Sequence, residues 1–124
     1  MKGVSMKNPN AHERRRFRRR MLAYYLPVLD NNTQQIIGHL VDISPAGFMI
    51  DAKLPVQNRK EYDLRLDFME AIAGRASLEF KARNKWCSQN SITPFVYNAG
   101  FEITDIARDS IEVFKRIGEK YASA

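Results

Sequence analysis

Cysteine is nearly absent. The 124-residue chain has one, Cys87, and only two histidines, His12 and His39. A single thiol closes no internal disulfide and builds no cysteine-based zinc site, and two histidines add too few ligands for a structural metal. So little cysteine fits a reducing compartment. Long apolar runs are missing too: none approaches the ~18 residues of a membrane span, and the N-terminus lacks the apolar core of a signal peptide. The expected location is therefore the cytoplasm. The chain also has no glycine-rich phosphate loop, no metal set and no nucleophile–base pair at a recognisable spacing. These gaps argue against an enzyme and against a cofactor.

Charge is plentiful but unevenly placed. The net formal charge is +6, yet residues 1–20 hold eight Lys/Arg against one Glu, and residues 21–124 hold twelve against thirteen Asp/Glu. The body is thus close to neutral, and the basic character belongs to one arm, the pattern of a chain that meets an anionic partner at one end. With 44% hydrophobic residues, the length supports one domain with a small core.

Residues 1–12, MKGVSMKNPNAH, lack an apolar period and read as a disordered leader. Residues 13–20 are almost pure charge, and arginines this dense repel one another in a helix. From Met21 the texture alternates. Leu22, Tyr24, Leu26 and Val28 form a period-two strand, with Pro27 marking an edge or a bulge. A turn at Asp30–Thr33 leads to a second strand ending at Ile43, and Phe48–Ile50 begin a third. Tyr62–Phe68 is the cleanest alternation in the chain. Its acidic residues Asp63 and Asp67, with Glu70 in the following turn, read as solvated. A turn at Glu70–Gly74 precedes a long strand from Ala76 towards Trp86, and Val96–Thr104 is the sixth. Ile106, Ile111, Phe114, Ile117 and Tyr121 then recur at helical spacing, with Asp105 and Asp109 early and Lys115, Arg116 and Lys120 late, as the helix dipole favours. The expected fold is mainly β: a six-stranded antiparallel barrel over residues 21–104, closed by a C-terminal helix over 106–122.

Two stretches organise this plan. One is the run Glu13-Arg14-Arg15-Arg16-Phe17-Arg18-Arg19-Arg20; the other is Asp42-Ile43-Ser44-Pro45-Ala46-Gly47, a polar turn between two strands. The turn brings a carboxylate, a hydroxyl and a bare backbone together. The run offers planar guanidinium forks, which pair with phosphates and guanine edges and stack on purines as lysine cannot. On charge alone the run reads equally as a solvated or nucleic-acid-binding tail, and the turn alone reads as an Asp-x-Ser motif capping its own backbone.

Together, an Arg-x-x-x-Arg motif followed by Asp-x-Ser-x-x-Gly resembles the PilZ domain, a family of bacterial receptors for cyclic di-GMP. Gly100-Phe101-Glu102 before the amphipathic helix continues the likeness, which covers residues 13–121. The resemblance implies a PilZ-like barrel and a ligand site of Arg15, Arg19, Asp42, Ser44 and Gly47, with Arg14, Arg16 and Arg20 as secondary candidates. The register Arg16–Arg20 is also open, because the run is so dense. Arg20 stands where the family has a hydrophobic residue. The resemblance further implies that the arm, 13–20, wraps the bound dinucleotide and so changes the surface offered to a protein effector. Two alternatives stay open: an interaction module of the same fold that binds no nucleotide, and a nucleic-acid binder using the arm. Nucleic acid is the less expected partner.

Four further residues read as structural. His39 is expected to be partly buried and hydrogen-bonded, Trp86 and Met49 to lie in the core, and Cys87 to be buried and inert.

Overall fold

The structure, a computed structural model, describes residues 20–121, with the backbone alone for Arg20, Ala23 and Tyr24. The leader at 1–12 and the arm residues Arg14, Arg15, Arg16 and Arg19 lie outside the described residues.

Six strands and a helix follow the alternation of the sequence: β1 (Arg20–Asp30), β2 (Ile36–Ser44), β3 (Gly47–Ala52), β4 (Glu61–Ile72), β5 (Arg75–Gln89), β6 (Tyr97–Asp105) and α1 (Arg108–Tyr121). All neighbours are antiparallel, and the sheet closes in the order β1-β2-β3-β6-β5-β4. Each strand therefore turns every second residue inward. Leu26 and Val28, Leu40, Phe48 and Ile50, Leu64 and Leu66, and Leu78 and Phe80 meet in one core. Phe48 stacks on Phe101 with centroids 5.1 Å apart and meets the edge of Phe80 at 5.6 Å.

Pro27 behaves as its chemistry requires. The β1–β4 ladder holds only Val28–Asp30 against Leu64–Leu66, so β1 before Val28 pairs with β2 alone and is an edge on its other side. The β1–β2 register also slips on either side of it, between Met21 and Leu26 and between Val28 and Leu29, while Pro27 itself stays in register with His39. The β4–β5 turn is tighter than the expected Glu70–Gly74. Strand β4 runs on to Ile72, and only Ala73 and Gly74 turn the chain, both with positive φ (52° and 77°), the twist that suits a two-residue hairpin.

Helix α1 starts at Arg108 rather than Ile106, because Asp105 still pairs with Lys81 as the last residue of β6. Its buried face, Val113, Phe114, Ile117 and Tyr121, packs against β1, β2, β4 and β5 and covers one end of the barrel. Both ends are tied to the β4–β5 hairpin. Arg75 donates to Ser110 Oγ at 2.7 Å and to Asp109 Oδ2 at 2.8 Å near the start. At the other end Tyr121 Oη accepts from the Glu70 amide at 3.3 Å, and Lys120 lies 3.3 Å from Glu70. No helix among the described residues is long and apolar enough to cross a membrane.

Ile117 is fully buried beneath the helix. Ile117→Ala should lower the unfolding free energy by about 2–5 kcal/mol, read from the urea midpoint at unchanged m.

Candidate functional site

The hexapeptide Asp42–Gly47 is the end of β2, a two-residue turn at Pro45-Ala46 and the start of β3. No residue of this turn has a positive φ, so Gly47 is not there for left-handed backbone. Its lack of a side chain serves a different need: a Cβ at Gly47 would run into the Phe101 carbonyl oxygen of β6. The close approach is made by a neighbouring strand, and it lets Ile103 donate to the Ala46 carbonyl at 3.1 Å, locking the turn onto β6. Ser44 Oγ donates to the Gly47 carbonyl at 3.3 Å, a long bond from a half-buried hydroxyl that can rotate to another acceptor.

Strand register places Asp42 in a row. Ile43, Phe48 and Phe101 are opposite one another across β2, β3 and β6, and all three are core. Their neighbours Asp42, Met49 and Gly100 must therefore face outward. Continuing sideways, Met21 on β1 lies opposite Asp42 and Trp86 on β5 lies opposite Gly100. The outer wall thus carries Met21, Asp42, Met49, Gly100 and Trp86 in line, and from Asp42 to Trp86 is three strand spacings, roughly 14 Å. Asp42 is only 4% exposed although its strand position is outward.

This row corrects two expectations. Trp86 is not core: it is 40% exposed, and its indole lies over Gly100, where any Cβ would strike the ring. The cause is a bulge. The β5–β6 register shifts between Asn84 and Trp86, and the buried Asn84 amide donates to the carbonyls of Trp86 and Gly100 at 3.0 and 3.1 Å. Asn84 keeps the inward alternation of β5, and the shift after it turns Trp86 outside. Met49 is likewise half-buried on the outer wall. Cys87 is half-buried and accepts a hydrogen bond from the Val56 amide at 3.4 Å.

One row along, His39 on β2 faces Asp51 on β3. The His39 ring lies 4.9 Å from that of Tyr25, and Tyr25 donates its hydroxyl to Asp51 Oδ2 at 2.6 Å. Accepting this bond, the carboxylate raises the phenol pKa above its ordinary 10.0; its charge and a smaller share of burial add to the effect. Tyr25 therefore stays a donor throughout the neutral range. Sequence reasoning missed this trio, since its members sit on three strands and only the register unites them. An open cavity of about 750 Å³ adjoins it, lined by Ile36, Leu54, Tyr62 and Val96 among others. Among the described residues no group of His, Cys, Asp and Glu is arranged to hold a metal ion.

A closed six-stranded antiparallel barrel, capped by a helix and carrying an Asp-x-Ser-x-x-Gly turn on its outer wall, defines the class of protein. A family model of the PilZ domain matches residues 13–118, and the chain belongs to that family. Solved structures share its fold. The Bacillus subtilis inhibitor of motility, MotI/DgrA, matches at TM-score 0.67 and 15% identity, over 86% of this chain and 50% of that one. The PilZ domain of Escherichia coli YcgR, solved with c-di-GMP, matches at 0.67 and 14%, over 87% of this chain and 91% of that one. YcgR of E. coli in complex with c-di-GMP matches at 0.64 and 16%, over 86% of this chain and 45% of that one. The chain thus spans about half the length of MotI and of that YcgR chain. No curated protein matches it.

Gly47→Ala should cost roughly 1–3 kcal/mol of stability, because backbone on both sides must shift to admit the methyl. Ser44→Ala should cost about 1 kcal/mol or less. Paired denaturant curves check the order; equal midpoints for Gly47→Ala and the parent would contradict the packing argument.

Proposed function

We propose that the chain is a cyclic di-GMP receptor that acts as an adaptor, without catalysis. The observation that carries the reading is the outer row, with a carboxylate and a hydroxyl at the β2–β3 turn and an exposed indole over Gly100 at the far side. An indole face suits purine stacking, and a carboxylate suits the N1–H and N2–H₂ edge of guanine. None of the five residues in the row is Lys or Arg. The two phosphates need positive charge from outside the row, and in this reading the arm supplies it.

In this reading Arg15 and Arg19 pair with phosphate and guanine, Arg14, Arg16 and Arg20 add further contacts, and the arm settles on the outer wall around the ligand. Asp42 accepts from a base edge or orients an arginine, Ser44 turns its hydroxyl to the ligand, and Gly47 keeps the turn flush against β6. The ordering of the arm then changes the surface shown to a protein effector, an order–disorder switch. The assignment rests on the family and on the chemistry of the row.

A second reading, a partner-docking module of the same fold that binds no nucleotide, is favoured by the loop before β6. Ile92 and Phe95 are 88% and 82% exposed there, Phe95 has φ of 63°, and Asn90 Oδ1 fixes the loop by accepting from the amides of Ile92 and Thr93.

Calorimetric titration at about physiological salt separates the readings, with GTP and a short DNA duplex as controls. The parent should bind cyclic di-GMP saturably, at micromolar affinity or tighter. Arg15→Ala with Arg19→Ala should weaken it by at least about 100-fold, and Asp42→Ala by roughly 10- to 100-fold, the range for lost charge-assisted hydrogen bonds. Full affinity in the double variant would remove the arm from the site. Salt-sensitive DNA binding without dinucleotide binding would point to a nucleic-acid arm instead.

A further inference from the structure

We infer that Tyr25, His39 and Asp51 form a second base-recognition point on the outer wall, which reads the other guanine of the bound dinucleotide through the Asp51 carboxylate. The inference rests on the receptor reading above and extends it to three residues outside the two motifs.

Position argues first. Outward residues on β3 alternate, so Asp51 follows Met49 on the same face at a distance of about 7 Å along the strand. Met49 is the partner of Asp42, so the two acidic positions sit on neighbouring strands of one surface, one row apart. A dinucleotide whose first base meets Asp42 has its second base within reach of Asp51.

The chemistry of the trio argues next. Tyr25 belongs to β1 and Asp51 to β3, so the phenol can reach its acceptor only by lying across β2, and it passes beside the His39 ring. The aromatic ring is thereby held along the wall with 66% of the residue exposed, a ready surface for a base. The hydrogen bond occupies one lone pair of Oδ2. Oδ1 accepts no hydrogen bond among the described residues, so the carboxylate is fixed in place with acceptor capacity to spare. Two acceptor oxygens match the adjacent N1–H and N2–H₂ donors of guanine. Adenine offers an acceptor at N1, so an anchored carboxylate discriminates between the two bases. The open cavity beside the trio, with Ile36, Leu54 and Val96 in its lining, gives the base and its ribose room to enter.

The test compares cyclic di-GMP with cyclic GMP–AMP, which keeps one guanine and replaces the other with adenine. The parent should bind cyclic di-GMP at least about tenfold more tightly than the hybrid, and Asp51→Asn should weaken cyclic di-GMP by roughly 10- to 100-fold. The same variant should bind both ligands within about threefold of each other, since the second guanine is no longer read. Tyr25→Phe should show a smaller loss and keep the preference. If Asp51→Asn weakens both ligands equally and keeps the parent's ratio, Asp51 only supports the wall and base reading is wrong. If it keeps the parent's affinity and ratio, the trio lies outside the site. Either result, with Asp42→Ala still impaired, leaves the receptor reading standing. A folded parent that binds neither ligand overturns both.

Discussion

The structure depends on how closely β3 and β6 approach each other. Gly47 lies against the Phe101 carbonyl, and Ala46 at the turn accepts from Ile103, so the β2–β3 hairpin is fastened to β6 from its tip. That fastening closes the barrel on one side and fixes register on both of its faces. Inside, it stacks Phe48 on Phe101. Outside, it sets Asp42, Met49 and Gly100 in line, because a period of two leaves no freedom once the inner residues are placed. A one-residue slip would turn Asp42 into the core and Phe48 into water, so core packing enforces the wall geometry.

The second half of the wall is built by a different device. Strand β5 alternates cleanly from Leu78 to Asn84, and continued alternation would point Trp86 inward with Phe80 and Ala82. The bulge reverses this. Asn84 carries a fully buried amide: its NH₂ donates to two carbonyls and holds the extra residue that sends the indole outside, while its Oδ1 is buried with no hydrogen-bond partner among the described residues. Gly100 completes the arrangement by leaving the space that the ring fills. A large aromatic side chain is thus half-exposed through a specific structural expense inside the barrel, which is unusual for tryptophan placed near the end of a strand.

Much of the fold was legible in the sequence because its strongest signals are local. The alternation of Tyr62–Phe68 and of Ala76–Arg83 needs only neighbours along the chain, and so does the helical spacing of Phe114, Ile117 and Tyr121. The Asp-x-Ser-x-x-Gly turn was legible for the same reason. The less local features were misread. Trp86 and Met49 looked like core because residue type carries no information about a bulge or about which face a strand turns to its partner. The start of α1 was placed two residues early because Asp105 is a good helix-start residue that pairing with Lys81 keeps in β6. The trio of Tyr25, His39 and Asp51 was invisible, since residues on three strands meet only through register. The density of the arginine run hides its own register, for any of several pairs at a spacing of four satisfies the motif.

Charge joins the two parts of the molecule. The outer row offers a carboxylate, a thioether pair, a bare backbone and an indole, groups that recognise bases and repel or ignore phosphate. The residues before Met21 carry net +7 and offer planar cations, which hold phosphate. Neither part alone matches a ligand with two guanines and two phosphates. The barrel would leave a dianion uncompensated against Asp42, and the arm would bind any polyanion without discrimination. In the proposed complex the ligand is the element that satisfies both at once. The free energy of phosphate pairing then becomes available to order the arm, because the two events cannot be separated. In that reading, drawing the phosphate-pairing cations from the arm makes recognition and conformational response a single step.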